Sequence, residues 1–514
     1  MAEQRIKNSK RNIVSGLIKQ MANLVLSFAI RTLVIYLLGA EYQGLSGLFS
    51  SIMQVLNLTD LGFSTAIMFL LYKPISENDK TKICCIVNFL KKIYFFVGIT
   101  MFSLGLALMP FLKHLISGDV PPDIDLYLLY LIYLVNTSVS YILFAYKSTL
   151  ISSMQREDVV SKIYTIIFIF VKICQVVLLV TLRNYYAYII VIPVGTIINS
   201  VAVQIASKKL FPDIVPYGTI QNETKKVFNK QIISVFIGKI SDVARNSIDN
   251  IVISAFFGLT LVTIYDNYYY IYSSLYGIMG IIIHGIIASV GNSIVSETIE
   301  KNYSDLLRIN FIFMLIIGWC SICMYCLYQP FMSIWMKGNS QMMMSEMDMT
   351  LMCVYFYVIN MTYVRSMYLD GKGLFHECRF WCIGEALLNI VLNIVLGKLL
   401  GLTGIILATI FTIVAFNFFG RSRVLFKYYF VTGKTRFYLQ HLFYLVVTIV
   451  AAIITKIVTS FIPDWGFIRL IVILILCCVI PGIVYFLSYF RTKIFTDSLD
   501  LVKRIIFKKT KTVS

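Results

Sequence analysis

Apolar residues fill this chain in blocks of twenty or more, separated by short polar breaks from one end to the other. A bilayer core of about 30 Å takes roughly 20 apolar residues per helical crossing. The blocks predict about fourteen spans, near 13–38, 43–71, 86–112, 126–150, 160–182, 187–206, 231–256, 260–294, 307–334, 348–369, 379–399, 402–426, 439–461 and 467–490. No stretch between them is long enough for a separate soluble domain. The pattern predicts an all-α polytopic membrane protein.

Polar residues inside the spans recur at helical spacing, the mark of one wet face. The first span carries Gln20, Asn23, Ser27 and Arg31, and the second Ser50, Gln54, Asn57, Asp60 and Ser64. The fifth has Thr165, Lys172 and Gln175. The seventh is richest: at 100° per residue, Lys239, Asp242, Arg245 and Asp249 fall within about a third of the helix circumference. In the eighth, Asp266, Tyr270, Ser273, Gly277, Gly280 and His284 line up among many tyrosines, and in the eleventh Glu385, Asn389 and Asn393 repeat every four residues. Charge buried in lipid costs several kcal/mol, so such groups face a bundle interior or a watery cavity. Interhelical hydrogen bonding accounts for many Ser, Thr, Gly and Asn positions. The seventh-span charges also fit a self-neutralising ladder. A shared cavity explains matching stripes in the first and seventh spans together, with Arg31, Lys172, Lys239 and Arg245 suited to phosphate and Tyr, Asn and carboxylate groups suited to sugar hydroxyls.

Two stretches read alike, RTLVIYLLG at 31–39 and DNIVISAFFG at 249–258. Six spans separate them, an even number, so both copies cross in the same direction. This predicts two parallel six-helix lobes, residues 1–220 and 221–430, followed by two additional helices at 431–490 and a basic cytoplasmic tail at 491–514. Parallel repeats place a substrate site at the lobe interface.

Composition agrees: 58% of the residues are apolar and only 14% charged, which excludes a water-soluble enzyme. The net charge of +19 gathers between spans. With the N-terminus inside, one set of loops holds Arg5, Lys7, Lys73, Lys80, Lys147, Arg156, Lys208, Lys301, Lys372, Arg421, Arg423 and Lys434. The other set holds only Lys113, Arg183, Lys337, Lys398 and Arg469. That is the positive-inside asymmetry rather than a nucleic-acid face, and it predicts both termini in the cytoplasm. The basic N-terminal stretch lacks a small-residue cleavage site and reads as a retained anchor. The tail lysines and Arg504 suit anionic lipid. The eleven cysteines, among them Cys320, Cys323 and Cys326, lie in apolar runs without a His or carboxylate cluster, so no metal site is expected. His284 reads as a buried structural histidine, and Lys456 stands alone in the thirteenth span.

Three segments resemble a known family in the right order: YLLGAEYQGLSGLFSSIMQVLNLTDLGFSTAI (36–67), RNSIDNIVISAFFG (245–258) and GKGLFHECRFWCIGEALLNIVLNIVLGKLLGLTGIILATI (371–410). They resemble bacterial polysaccharide (O-antigen or capsule) repeat-unit flippases, Wzx-like members of the multidrug/oligosaccharidyl-lipid/polysaccharide exporter superfamily, over roughly the first 430 residues. The resemblance implies a V-shaped, MATE-like pair of lobes around a cationic cavity. The implied cargo is an undecaprenyl-diphosphate-linked oligosaccharide, moved from the inner to the outer leaflet of the bacterial cytoplasmic membrane. It also implies roles for Arg31, Asp60, Arg245, Asp249, Asp266 and Glu385. The two extra spans are placed like those of the lipid II flippases, where they form a lipid-tail groove. The superfamily implies coupling to a proton or sodium gradient, though no ion site is legible, and no other cofactor. The implied partners are membrane lipids, a polysaccharide polymerase and assembly proteins; a monomer suffices.

Two other classes compete. A multidrug exporter of the same superfamily would favour a net acidic cavity, whereas here basic and acidic groups balance. A membrane glycan polymerase or ligase needs acid/base groups at the outer face, and the short outer loops offer only Asp119, Asp123, Asp125 and Glu346. No G-x-x-x-x-G-K-[ST] loop is present, against direct ATP use. The expected protein is a transporter and not an enzyme.

Overall fold

The structure, a computed structural model, describes residues 2–57 and 63–507. Asp60 of the second stripe and Lys508, Lys509 and Lys511 of the tail lie outside the described residues. So do the side chains of Ser64, Lys239, His284, Lys503 and Arg504. No strand occurs among the described residues. Ten described helices are long and apolar enough to cross a membrane, or eleven if a bent pair at 126–153 counts as one crossing. The helices over the expected second, seventh and eighth spans are not among these. The chain is all-helical and multi-pass; the count of fourteen remains the expectation of the sequence.

Two compact units divide at Thr263/Ile264. The first contains α1 (Ala2–Leu37), α2 (Ala40–Leu56), α3 (Phe63–Ser76), α4 (Lys80–Leu108) and α5 (Leu126–Ile142), then α6 (Ala145–Ser153), α7 (Glu157–Leu182), α8 (Tyr185–Leu210) and α9 (Asn222–Phe257). Side-chain oxygens start several of these helices by accepting orphan backbone N–H groups. Asp79 takes the N–H of Lys82, Asp125 those of Tyr127 and Leu128, and Asn184 that of Ala187. α1 packs along α7, α7 on α8 and α4 on α5. Leu45, Leu48 and Phe49 of α2 meet Leu129, Tyr130 and Leu134 of α5 in one core.

α9 also packs on α2. Asn250 Nδ2 donates to Ser51 Oγ at 3.0 Å, and the Ser117 N–H reaches the Ser254 carbonyl at 2.9 Å. The repeat begins a second lobe at 221, while the contacts keep α9 with the first unit. The two repeat copies end alike. Gly39 (φ 129°) and Gly258 (φ 85°) stop α1 and α9, and the next helix starts one residue later. Glycine tolerates this positive φ without a Cβ penalty.

α10 (Leu259–Ser296) leads into the second unit. There follow α11 (Ile299–Trp335), the broken pair α12 (Glu346–Asn360) and α13 (Tyr363–Lys372), and α14 (Phe375–Leu400). α15 (Leu402–Thr412) continues through two π-helical stretches, Ile413–Arg421 and Phe426–Phe430, joined by the single turn α16 (Ser422–Leu425). Arg421, counted with the inner basic residues although the expected span ran to 426, lies within a helix. The chain closes with α17 (Lys434–Ser460), α18 (Phe467–Tyr489) and α19 (Lys493–Phe507). α11 is the spine of this unit, touching α12, α17, α18 and α19. Gly318 lets α17 and α18 approach it: a Cβ there would lie 2.3 Å from Tyr485 Oη and 2.7 Å from Thr448 Oγ1. The residues read as a basic tail are helical as far as Phe507, and Arg308 of α11 holds Asp497 at 3.7 Å.

Candidate functional site

A cavity of the first unit that holds a charged side chain lies among α5, α7 and α8. It encloses about 340 Å³ and is lined by Ser140, Tyr164, Lys172, Thr196 and Asn199 together with apolar side chains. Lys172 points along α7, its Nζ 3.0 Å from Gln175 Oε1 and 5.2 Å from the centre of the Phe168 ring. No carboxylate pairs with it among the described residues. Thr196 donates to Asn136 Oδ1 at 2.7 Å, while Asn199 Oδ1 has no partner. The cavity therefore presents one cation with hydroxyl and amide groups, a set that can hold phosphate or sugar oxygens.

The other expected site residues of this unit are differently placed. Arg31 is half-buried on α1, close enough to α8 for its charge to reach Tyr188. On α9, Arg245 is buried and its Nη2 binds Asp242 Oδ1 at 2.7 Å, with Asp242 half exposed. Asp249, one helical turn on, is buried at 2% exposure. Part of the α9 stripe is thus an internal ion pair.

In the second unit, Asp266 is buried and Tyr270 half-buried on α10. The neighbouring tyrosines pack on one another: Tyr272 stacks on Tyr355 at 4.7 Å and Tyr269 at 4.9 Å, and Tyr268 meets Tyr328 at 5.2 Å. Glu385 of α14 accepts from Arg421 Nη2 at 2.8 Å. Asn389 donates to Thr409 Oγ1 at 3.1 Å, and Asn393 to Asn389 Oδ1 at 3.5 Å. The α14 stripe faces α15 and its π-helical continuation.

Two further features lie outside the polar stripes. Arg365 of α13 is completely buried and donates to Asn417 Oδ1 at 2.7 Å. Its position inside an apolar block was a usable signal, and no stripe drew attention to it. Second, an apolar groove of about 450 Å³ runs between α10, α11 and α18, lined by Leu275, Met324, Phe331, Phe467, Ile471 and Leu474. Lys456 is also explained: its Nζ sits 5.0 Å above the Tyr325 ring. No group of three or more His, Cys, Asp or Glu side chains suited to a metal occurs among the described residues.

No protein-family model and no curated protein sequence matches the chain. Solved structures do. The lipid II flippase MurJ in an inward closed conformation superposes with a TM-score of 0.67 at 15% identity, covering 93% of this chain and 98% of that one. An inward-facing multidrug resistance MATE family transporter of the MOP superfamily gives 0.62 at 14% identity, covering 80% and 98%. A MOP superfamily transporter from Pyrococcus furiosus gives 0.56 at 12% identity, covering 82% and 96%. The fold is that of MurJ and the MATE transporters. The likeness to MurJ takes in more of this chain than the others, by a margin comparable to two membrane helices.

Proposed function

We propose that the protein is a flippase. It moves an undecaprenyl-diphosphate-linked oligosaccharide repeat unit from the inner to the outer leaflet of a bacterial cytoplasmic membrane, by alternating access, for polysaccharide biosynthesis. Both termini then lie in the cytoplasm, a proton or sodium gradient drives the cycle, and a polymerase and assembly proteins receive the product.

The observation that carries this reading is the groove against α18. Its walls are almost wholly apolar, and Phe467, Ile471 and Leu474 stand 46–68% exposed on its rim. An exposed apolar channel on a membrane helix suits a prenyl chain through van der Waals contact along its length. Lys172, Thr196 and Asn199 supply donors and acceptors for diphosphate or sugar oxygens, and Arg31 and Arg245 add positive charge on α1 and α9. The remaining expected cavity residues, Asp60, Lys239, Asp242, Asp249, Asp266, Tyr270, Glu385 and Asn389, belong to the same proposal. A multidrug exporter is the second reading, favoured by the MATE likenesses.

The test is the leaflet accessibility of prenyl-diphosphate-linked oligosaccharide in cells depleted of the protein, read with an enzyme or lectin acting only from outside. Accumulation on the cytoplasmic side with polymer lost is the expected result. Unchanged outer exposure overturns the proposal, and a changed drug-resistance profile beside it selects the exporter.

A further inference from the structure

Arg365 sits at 0% exposure inside the second unit, on the broken helix α13. A guanidinium carries five N–H donors and keeps its charge in proteins. Only the Nη2 amino group is used, towards Asn417 Oδ1 at 2.7 Å and Ser366 Oγ at 3.2 Å. Nε and Nη1 are buried and have no acceptor. Both acceptors of Nη2 are neutral, so nothing in direct contact offsets the charge.

The nearby carboxylates do not fill the gap. Glu385 is held by Arg421 at 2.8 Å, with Asn417 Nδ2 at 3.5 Å from its other oxygen. Asn417 therefore bridges the Arg365 guanidinium and the Glu385 carboxylate. Asp370, five residues along the same helix, is exposed at the surface. Arg365 itself has no carboxylate within ion-pairing distance, and Asp370 and Glu385 act on its charge only from further away. A second donor faces the same region. Asn310 Nδ2 lies 3.1 Å from His441 Nε2, so that ring nitrogen accepts and the proton sits on Nδ1. His441 Nδ1 is buried and has no partner, and the ring lies within electrostatic reach of Arg365. Asn417 belongs to the π-helical stretch Ile413–Arg421, a distortion that recurs at functional sites.

We infer that Arg365 is the anchor of a buried anion site in the second unit, taking a small inorganic anion of halide size between α13, α14, α17 and the π-helical stretch. The anion lies against an open edge of the Arg365 guanidinium and balances its charge, a role that unpaired buried charge demands. Complete burial selects a monatomic ion over a lipid phosphate, which would need an opening to the surface.

The test uses the full chain in detergent, with thermal unfolding followed in sodium chloride, sodium bromide and sodium gluconate at equal ionic strength. A saturable rise in Tm of about 2 °C or more in either halide over gluconate is expected. Arg365→Gln abolishes that difference. Should this variant fail to fold, Asn417→Asp serves instead, because it places a fixed carboxylate beside Arg365 and makes the halide redundant. Crystals of the unaltered protein in bromide should show an anomalous peak beside Arg365. Absence of a halide effect, an equal effect in Asn417→Asp, or water alone at that position overturns the site.

Discussion

Lys172 and Glu385 are both charged residues inside membrane helices, yet their surroundings give them different tasks. Lys172 lines a cavity and spends its charge on an amide oxygen and an aromatic face. Glu385 is 2% exposed and locked to Arg421. A charged hydrogen bond to phosphate contributes about 1.5–3 kcal/mol, or tenfold to hundredfold in a rate that depends on it. Lys172→Gln should therefore lower flipping at least about tenfold with an unchanged Tm, and Lys172→Arg should keep most of the activity. A reconstituted flipping assay reads this, and normal flipping in Lys172→Gln removes the phosphate role. Glu385→Gln should act on stability first. It strands the Arg421 charge, and breaking a buried pair costs about 3–5 kcal/mol. The double variant Glu385→Gln/Arg421→Gln should recover much of that loss in the same unfolding measurement. Strict additivity of the two single losses would show that the pair does not interact. The sequence picked out Glu385 and Lys172 because both stand in regular polar stripes. It passed over Arg365, whose partner Asn417 lies 52 positions away and becomes a neighbour only in the fold.

At the scale of elements, close helix contact and helix capping set the risks. Gly44 of α2 has no room for a side chain, since a Cβ would come within 2.2 Å of the Leu259 carbonyl oxygen. Backbone cannot swing aside as a flexible side chain can. Gly44→Leu should thus force α2 away from the start of α10 and destabilise by about 1–3 kcal/mol; an unchanged Tm would show that the contact is loose. The start of α4 depends on Asp79, which accepts from the Lys82 N–H at 2.9 Å and pairs with its Nζ. The Lys82 side chain, with the backbone N–H, holds the Asp79 carboxyl below its ordinary value. A depressed carboxylate contributes stability above its unfolded pKa of about 3.9 and loses that contribution as pH falls through the lowered folded value. Amide protection factors at the first turn of α4 should accordingly be constant above about pH 5 and fall towards pH 3, while Asp79→Asn flattens the profile. Element positions were largely legible in the chain, because apolar block length fixes a crossing. The kinks were not. The break at Met361 and Thr362 between α12 and α13 has no proline or glycine to announce it, and the π-helical stretch after Thr412 follows from packing on α14.

For the whole molecule, the choice between a lipid-linked cargo and a free drug turns on the groove that α18 completes. A compact drug has less apolar length to place in such a channel than a prenyl chain has. A prenyl-linked cargo carries a long apolar chain suited to van der Waals contact along such a channel. Leu474 is 48% exposed on α18 and lines the groove, so a larger side chain there narrows the channel without overfilling the core. Leu474→Trp should slow flipping of the long undecaprenyl-linked substrate several-fold. The same variant should leave a short-prenyl analogue with the same headgroup almost unaffected, because that cargo lacks the chain that would occupy the groove. The comparison is internal, so a general loss of folding cannot imitate it. Equal slowing of both cargoes would assign the groove a structural role. Equal rates of both in the unaltered protein and in Leu474→Trp would remove the tail from recognition and leave the cavities of the two units to set the cargo.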